Sequence, residues 1–348
     1  MDLPIDVPVA PMLARLVDRI PDADAVDGGY VYEPKWDGFR CIVLRDGDQV
    51  ELTSRMNKSL TSYFPEIVDH VRDSLPRRCV IDTEIFVPTG AIGAQHLDWD
   101  VLSARVHPSL RRVARMAELN PAHMVAFDVL AVDDRDLRGL PFRDRRLRLE
   151  DMLGSIPESV GLHVTAQTHD ADVARSWFES FDGSGLDGIM VKESLGTYEY
   201  GRRSWQKVKH ARTAEAVVVG YRRNPRYRGV GQLLLALYGH GDDALHYVGV
   251  ISQFEAQQRI DLAESLRPLE LAAADAPTIH GLPDMAAAHG LVSLNPTKVA
   301  EVEFDQLVGF QFRHPARFRR WRVDRDPRSC QQDQLASAQA YDLATMLD

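Results

Sequence analysis

The sequence has few cysteines, few lysines and no long apolar run. Its 348 residues include three cysteines, Cys41, Cys79 and Cys330, which are too few and too scattered for a disulfide framework or a cysteine-based zinc site. No uninterrupted apolar stretch approaches the roughly 20 residues that a membrane span needs. The first residues also lack the basic and apolar regions of a secretory signal. These absences predict a cytoplasmic protein of a reducing compartment, without membrane association.

The composition is otherwise that of a globular protein. Hydrophobic residues make up 45% and charged residues 26% of the chain, which excludes a disordered or fibrous protein. The length is sufficient for about two domains with proper cores.

Lysine is scarce among the basic residues, since the 41 basic side chains are six lysines and 35 arginines. Arginine keeps its proton at working pH, whereas a lysine amine can be tuned into a nucleophile. The few lysines are therefore candidates for covalent chemistry. Four of them lie in three short elements: Lys35, Lys192, Lys207 and Lys209.

The net charge of −10 argues against a nucleic-acid partner, but binding depends on where the charge lies. Residues 202–228 carry nine basic residues against one acid, Glu215, and residues 313–325 carry six arginines against Asp324. A localised polyanion site is one interpretation of these two clusters. Two solvated surfaces are the other.

Hydrophobic patterning predicts two domains of different character. Strands are indicated at 39–44, 49–53, 79–87, 124–132, 161–166 and 188–192, with helices at 142–153 and 170–181. After His210 the pattern changes to short strands at 216–221, 233–238, 246–251, 299–304 and 308–312, with helices at 255–266 and 331–347. We therefore predict an α+β protein. Residues 1–211 form a domain of antiparallel sheets and helices, and residues 212–348 form an OB-fold β-barrel domain with a C-terminal helix.

Three short elements carry groups suited to phosphoryl chemistry. Lys35 begins the run Lys-Trp-Asp-Gly-Phe-Arg between two strands, which is either a turn with a surface lysine or a nucleophile projecting into a cleft. Strand alternation places Asp82 and Glu84 on one face, which is either solvent-exposed or buried with a cation, metal or hydroxyl partner. Lys207 and Lys209 share a face of an extended segment, and a bound polyanion is their natural partner.

Taken in order, these elements resemble the motifs of the covalent nucleotidyltransferases, which include ATP-dependent DNA ligases and mRNA capping enzymes. Lys35–Arg40 matches the K-x-D-G-x-R element. The further elements are Thr53-Ser54-Arg55, Asp82-Thr83-Glu84, Phe127-Asp128, Asp187–Lys192, Lys207-Val208-Lys209 and Arg313–Arg325. The chain is most similar to the minimal bacterial ligases of the C type. Asp187 stands where the family usually has Glu, and Arg325 replaces a common Lys.

The resemblance implies a nucleotidyltransferase (adenylation) domain followed by the OB domain, with a hinge near 210–214. Lys35 would form lysyl-AMP from ATP, AMP would pass to the 5′-phosphate of a DNA nick, and the 3′-OH would displace AMP. Lys207 and Lys209 would assist this catalysis and, with the metal, lower the pKa of Lys35.

The resemblance also implies a set of ligand contacts. The nucleotide would be bound by Glu33, Arg40, Arg55, Glu84, Phe127, Met190, Lys192, Arg322 and Arg325. Mg²⁺ or Mn²⁺ would be bound by Asp187 and Asp37, and duplex DNA by Arg202, Arg203, Arg222, Arg223, Arg226 and Arg228.

The expected partner is nicked duplex DNA, with repair proteins as further partners of a monomer that acts in DNA repair. One alternative is an RNA ligase or an mRNA-capping-type nucleotidyltransferase. Another is a non-catalytic nucleic-acid-binding protein, against which the intact Lys35, Glu84, Lys207 and Lys209 argue.

Overall fold

The computed structural model describes residues 1–91, 94–157, 160–181, 186–210, 212–223, 228–239, 244–283, 290–335 and 343–347. Met1–His210 together with Ala338–Asp348 form one compact unit, and Ala211–Ser337 form a second. The sequence assigned everything from residue 212 onward to the second domain, whereas the last residues group with the first unit. The physical reason is apolar burial, because Leu343 and Met346 belong to a hydrophobic cluster of the first unit.

The first unit is a mixed α+β structure. Its strands are β1 (Ala14–Leu16), β2 (Tyr30–Trp36), β3 (Phe39–Asp46), β4 (Gln49–Ser54), β5 (Arg78–Phe86), β6 (Pro88–Ala91), β7 (Ala94–Leu97), β8 (His123–Val132), β9 (Arg135–Asp136), β10 (Leu162–Val164), β11 (Leu186–Glu193) and β12 (Trp205–Lys209). Its helices are α1 (Pro65–Ser74), α2 (Trp99–Ala104), α3 (Leu110–Leu119), α4 (Phe142–Leu153) and α5 (Ala171–Ser180).

Two sheets organise this unit. One has the strand order β1-β12-β11-β2, and the other has the order β10-β8-β5-β3-β4 with β9 beside β8. The expected antiparallel sheets are in fact mixed, because the edge strands β1 and β10 pair in parallel with β12 and β8. In the second sheet β5 is buried on both faces, since Ile81 and Ile85 belong to one hydrophobic cluster and Val80 to another. The face of β5 that bears Asp82 is therefore not solvent-exposed, and Asp82 is completely buried.

The second unit is largely β-structure. Its elements are β13 (Arg212–Arg223), β14 (Val230–Tyr238), β15 (Leu245–Ile251), α6 (Ala256–Leu266), β16 (Ile279–His280), β17 (Leu291–Phe304), β18 (Leu307–Val308), β19 (Gln311–Phe312) and β20 (Arg317–Trp321). The sheet order is β16-β15-β14-β13-β17-β20. A single parallel bridge joins Ile251, at the end of β15, to Ala316, which precedes β20.

Two expectations for this part of the chain differ from the structure. The run at 308–312 is a small hairpin of β18 and β19, because Gly309 turns the chain with a φ of 56°. In place of a terminal helix, the described residues form short 3₁₀ turns at Gln332–Leu335 and Leu343–Met346, and residues 336–342 lie outside the described residues.

The described residues bear on two further expectations. Within them, no helix is both long and apolar enough to cross a membrane. Cys41, Cys79 and Cys330 are buried as free thiols.

Candidate active site

Strand β2 presents Lys35 on the face opposite the hydrophobic core. Tyr30, Tyr32 and Trp36 alternate along the strand into one hydrophobic cluster, so that Lys35 points to the other side. Its Nζ lies 2.8 Å from Oδ2 of Asp187. The sequence left open whether this lysine was a surface residue, and the structure places it in a partly buried ion pair.

A bulge in β11 brings Asp187 to this position. The pairing of β11 with β2 is irregular between Leu186 and Ile189, and Gly188 within it has a φ of 133°. A Cβ atom at Gly188 would lie 2.0 Å from the carbonyl oxygen of Val208, so a larger residue does not fit. The glycine therefore permits the bend that presents Asp187.

Asp187 also pairs with a second lysine. Its Oδ2 lies 2.7 Å from Nζ of Lys209, while Lys207 is opposite Met190 in the register of β12 with β11. Burial acts to raise the pKa of Asp187, but Lys35 and Lys209 together lower it. The structure thus brings together three of the sequence-predicted lysines around one carboxylate.

The charges in this cluster raise the Lys35 pKa in the chain without a metal, whereas the expected lowering included the charge of the metal. Burial acts to lower this pKa, but the carboxylates of Asp187, Asp37 and Glu84 together raise it above the ordinary lysine value. Lys207 has the lowered pKa instead, at about 8, because of burial and the neighbouring charges of Lys35 and Lys209. In the free chain the nucleophile candidate is therefore an ammonium held by carboxylates.

Glu84 lies beside this cluster on β5. Its Oε1 accepts a hydrogen bond of 3.0 Å from the backbone N–H of Gly38, in the turn that follows Lys35. Gly38 is required there, since a Cβ would lie 2.1 Å from the carbonyl oxygen of Ile85. Burial and the charge of Asp37 raise the pKa of Glu84 to about 7, although Lys35 and Arg40 oppose the shift.

Arg40 is fixed by a buried network that the sequence did not predict. Its guanidinium donates two hydrogen bonds to the carboxylate of Asp82, at 2.9 and 2.6 Å, and Tyr198 donates a third to the same carboxylate at 2.5 Å. The guanidinium carbon also lies 5.1 Å from the centroid of the Trp205 ring. The alternation that placed Asp82 and Glu84 on one strand face was the available signal, but it left open whether that face was buried and did not identify a partner.

A second buried network surrounds Glu33. Nζ of Lys192 lies 2.7 Å from Oε2 of Glu33 and donates a hydrogen bond of 2.8 Å to the carbonyl oxygen of Phe127. Arg146 on α4 lies 3.8 Å from Oε1 of the same carboxylate. Burial raises the pKa of Glu33 and lowers that of Lys192. The attraction between the two groups opposes both pKa shifts but is the weaker effect. Phe127 and Met190, both half-buried, pack against one hydrophobic cluster.

Sequence reasoning missed Arg146 in this network. The residue is almost completely buried, and its Nε donates a hydrogen bond of 2.6 Å to Glu150, one helical turn away. The density of arginine in residues 142–153 was visible in the sequence. Which of these arginines faces the core depends on how α4 packs, and this was not visible.

The arginines of the predicted nucleotide and DNA contacts lie in varied surroundings. Arg55 is exposed on the turn after β4, and its charge contributes to the lowered pKa of Lys207. Arg202, Arg203, Arg223 and Arg228 are exposed, Arg222 is half-buried, and Arg226 lies outside the described residues.

The second basic cluster, residues 313–325, is extensively paired with acids of its own unit. Glu215 accepts a hydrogen bond from Arg322 and lies 2.7 Å from Nε of Arg325. Arg322 also makes two hydrogen bonds to Asp324, at 2.9 and 2.8 Å. Arg320 pairs with Glu301 and Arg319 with Glu303. This cluster is therefore not the bare basic surface that the sequence suggested.

The geometry can be set beside known proteins. Residues 11–209 match the family model described as an ATP dependent DNA ligase domain, and residues 226–325 match the ATP dependent DNA ligase C terminal region. The chain belongs to the ATP-dependent DNA ligases.

Individual relatives agree with the family. DNA ligase C1 of Mycolicibacterium smegmatis is 42% identical over 357 residues, with 100% of this chain and 99% of the relative covered. DNA ligase C of Mycobacterium tuberculosis is 43% identical, with 96% of each chain covered. A solved structure of a Lig E DNA ligase is 17% identical, covers 90% of this chain and 100% of its own, and has a TM-score of 0.56, which shows a shared fold. The predicted family and its α+β fold are confirmed.

Proposed function

We propose that this ATP-dependent DNA ligase seals nicks in duplex DNA through a lysyl-AMP intermediate. The observation that carries the proposal is the contact of Lys35 with Asp187, beside Lys209 and Lys207, in a chain whose relatives are DNA ligases over their whole length. We do not expect a surface lysine in a turn to share a carboxylate with a second lysine. We do expect such charged neighbours around a lysine that receives a nucleotidyl group.

The covalent step is an in-line displacement at phosphorus. The Lys35 amine forms a bond to the α-phosphorus of ATP, the bond to the bridging oxygen breaks, and pyrophosphate leaves. Lys207 and Lys209 neutralise phosphate charge in this step. Lys35 must first lose its proton to solvent, and its release from Asp187 favours that loss because Asp187, with Asp37 and Glu84, raises the Lys35 pKa.

We assign the nucleotide contacts to Glu84, to residues of the two buried networks and to the exposed Arg55. Glu84 would accept a hydrogen bond from the ribose, with Arg40 and Arg55 on the sugar or the 5′-phosphate. Phe127 and Met190 would pack on the two faces of adenine. By the family resemblance, Glu33, whose side chain is held by Lys192, would lie at the adenine edge and contact it through its backbone carbonyl.

The described residues hold no cluster of three or more possible metal ligands, so the acidic groups near Lys35 would complete a divalent-cation site only together with phosphate oxygens. Mg²⁺ binds through one or two carboxylates together with phosphate oxygens, and Asp187 provides a carboxylate, with Asp37 nearby. When bound, the cation would neutralise phosphate charge. Asp187, one methylene shorter than the usual Glu, would hold it once the lysines turn to the phosphates.

We assign the first unit to adenylation and the second to an OB-type barrel. The barrel assignment is supported by the order of its sheet and by the bridge between Ile251 and Ala316, which brings β15 and the start of β20 together. By the family resemblance, Arg322 and Arg325 would contact the pyrophosphate.

The duplex partner is proposed from exposed arginines. Arg202, Arg203, Arg223 and Arg228 are exposed and could contact phosphates, while the half-buried Arg222 and Arg226, which lies outside the described residues, are assigned from the sequence alone. Such contacts release counterions, so binding of nicked DNA should weaken steeply as salt rises. We further propose that the protein is a monomer and acts in DNA repair in the cytoplasm. The buried free thiols are consistent with that compartment.

A nick-sealing assay tests the proposal. Singly nicked duplex DNA, a duplex with an RNA strand at the nick, and 5′-triphosphate RNA are each incubated with the chain, Mg²⁺ and either ATP or GTP. We expect joining of the DNA nick with ATP and none with Lys35→Arg, which keeps the charge but removes the nucleophile. Joining confined to RNA with ATP would indicate an RNA ligase, and transfer of GMP to triphosphate RNA a capping enzyme.

A further inference from the structure

The last described residues, 343–347, pack into the first unit behind the nucleophile. Leu343 and Met346 are 1% and 3% exposed and belong to the hydrophobic cluster that contains Trp36 and Phe86. This segment follows the second unit in sequence but is part of the core of the first. The chain therefore returns to complete a core that the adenylation unit does not complete alone.

Backbone hydrogen bonds fix the segment in register. The N–H of Ala166 donates to the carbonyl oxygen of Met346 at 2.9 Å, and Leu347 forms an antiparallel bridge with Thr165. Thr165 is completely buried, and its hydroxyl accepts a hydrogen bond of 2.8 Å from the indole N–H of Trp36. Thr165 thus connects the segment to Trp36, because its backbone pairs with the segment and its side chain accepts the hydrogen bond from Trp36.

Trp36 in turn determines how Lys35 is presented. The two residues are consecutive in β2, so fixing the Trp36 side chain in the core directs the Lys35 side chain to the opposite face. The Trp36 ring is stacked on Phe86, with 5.0 Å between the ring centroids. Loosening this side of the strand would leave the Lys35 amine free to move relative to its carboxylate partners.

We propose that residues 343–347 are a positioning segment for the nucleophile, acting through Thr165 and Trp36. The inference rests on the proposed function, because it concerns the step in which Lys35 attacks ATP. A misplacement of about 1 Å can cost a reaction of this kind a hundredfold in rate, so a small loosening has a measurable effect. The segment has no part in the final sealing step, where the Lys35 amine does not react.

The experiment separates these two steps in the full chain. The first is the single-turnover rate of covalent labelling by ATP. The second is the sealing of a nick that already carries a synthetic 5′-adenylate, without ATP. Met346→Ser opens the cluster, Met346→Leu keeps it apolar, and Leu153→Ser is the control, since Leu153 is a buried residue at the end of α4 in a different cluster of the same unit.

We expect Met346→Ser to slow labelling by about tenfold or more while sealing of the adenylylated nick stays within about twofold. Met346→Leu should restore labelling. Leu153→Ser should lower the melting temperature to a similar extent but reduce both steps alike. Thr165→Val, which removes the acceptor for the Trp36 indole and keeps the size of the side chain, covers the case in which Met346→Ser does not fold. It should slow labelling selectively.

Equal losses in both steps for Met346→Ser and Thr165→Val would overturn the inference, since the segment would then act on stability alone. Unchanged labelling in the two variants would overturn it as well. If the unaltered chain labels with ATP but seals no DNA, the proposed function fails. If the unaltered chain seals and the variants lose no labelling, the positioning role alone fails.

Discussion

Asp187 holds Lys35 as an ion pair, with 2.8 Å between Oδ2 and Nζ. The same carboxylate lies 2.7 Å from Nζ of Lys209, so that one acid is shared by two lysines. The resting nucleophile is consequently a protonated amine. ATP must compete with the carboxylates for Lys35, and the cation must compete with Lys35 for the carboxylates that keep it protonated.

Asp187→Asn should therefore make Lys35 more reactive in the absence of ATP. Loss of the Asp187 carboxylate, the strongest of the three that raise the Lys35 pKa, leaves a larger share of the amine unprotonated at about pH 8. We expect Lys35 to be acylated by an amine-directed reagent about tenfold faster than in the unaltered chain, as measured by peptide mass spectrometry. The exposed Lys58 provides an internal reference in each sample. An unchanged ratio of the two would contradict the assigned cause of the shift.

Lys207 should give ATP binding an alkaline limit. With a pKa of about 8, Lys207 is charged below that pH and loses its charge above it, and its attraction for phosphate is lost with the charge. We expect ATP affinity to fall by about fivefold between about pH 7 and 9. The measurement is calorimetry on the Lys35→Arg chain, where no covalent product forms.

The matched variant adds Lys207→Arg, which stays charged throughout this range. It should bind ATP without the alkaline decline, whereas Lys58→Arg should leave the decline in place. A decline that persists in the Lys207→Arg chain would assign it to a different group.

Glu84→Gln should stabilise the protein at alkaline pH while it abolishes nucleotide transfer. The pKa of Glu84 in the folded chain is about 7, above its ordinary 4.5. The fold therefore loses part of its stability as the pH rises from the ordinary pKa through the folded one. The uncharged amide avoids this loss. After allowance for the hydrogen bond from Gly38, we expect a gain of about 2 kcal/mol in the free energy of unfolding at about pH 8.

Denaturant unfolding at about pH 8 and again at about pH 5 measures this gain, which should shrink at the lower value because Glu84 is then largely protonated in the folded chain. Equal gains at both values would show that ionisation of Glu84 is not the cause.

Glu215→Gln should strengthen the interaction of the second unit with pyrophosphate. In the free chain Glu215 is paired with both Arg322 and Arg325, and it competes with any anion for them. The neutral amide in Glu215→Gln should lower, by about threefold, the concentration of pyrophosphate that is needed to inhibit covalent labelling. Glu303→Gln, which removes the partner of Arg319 in the same sheet, is the control and should change nothing. Weaker inhibition in the Glu215→Gln chain would mean that Glu215 orients the arginines instead of competing for them.

Local pattern accounts for the part of the structure that the sequence predicted. The strand that carries Glu84 follows from the β-branched residues of 79–87, and the shared face of Lys207 and Lys209 follows from an extended segment, whereas the strand Tyr30–Trp36 that carries Lys35 was not predicted. Gly38 and Gly188 are demanded by close backbone contacts, and both stand in the motifs that the sequence singled out.

Pairs of residues that lie far apart in the sequence account for the contacts that the sequence did not predict. Tyr198 reaches Asp82 across 116 positions, and Arg322 reaches Glu215 across 107. No local period encodes such pairs, so neither the fixed position of Arg40 nor the neutralised arginine cluster was predictable. The raised pKa of Lys35 belongs to the same class, because carboxylates from three separate parts of the chain produce it.

The central claim is that Lys35 becomes covalently adenylylated and passes AMP to DNA. The direct measurement is to incubate the purified chain with Mg²⁺ and α-labelled ATP, denature it, map the label by peptide mass spectrometry and then repeat the incubation with a chase of nicked duplex DNA. The account predicts one AMP on Lys35, in a bond that acid breaks, with the label discharged by the nick and absent from Lys35→Ala. Label on another residue, or no label on a chain shown to be free of bound AMP, would contradict it.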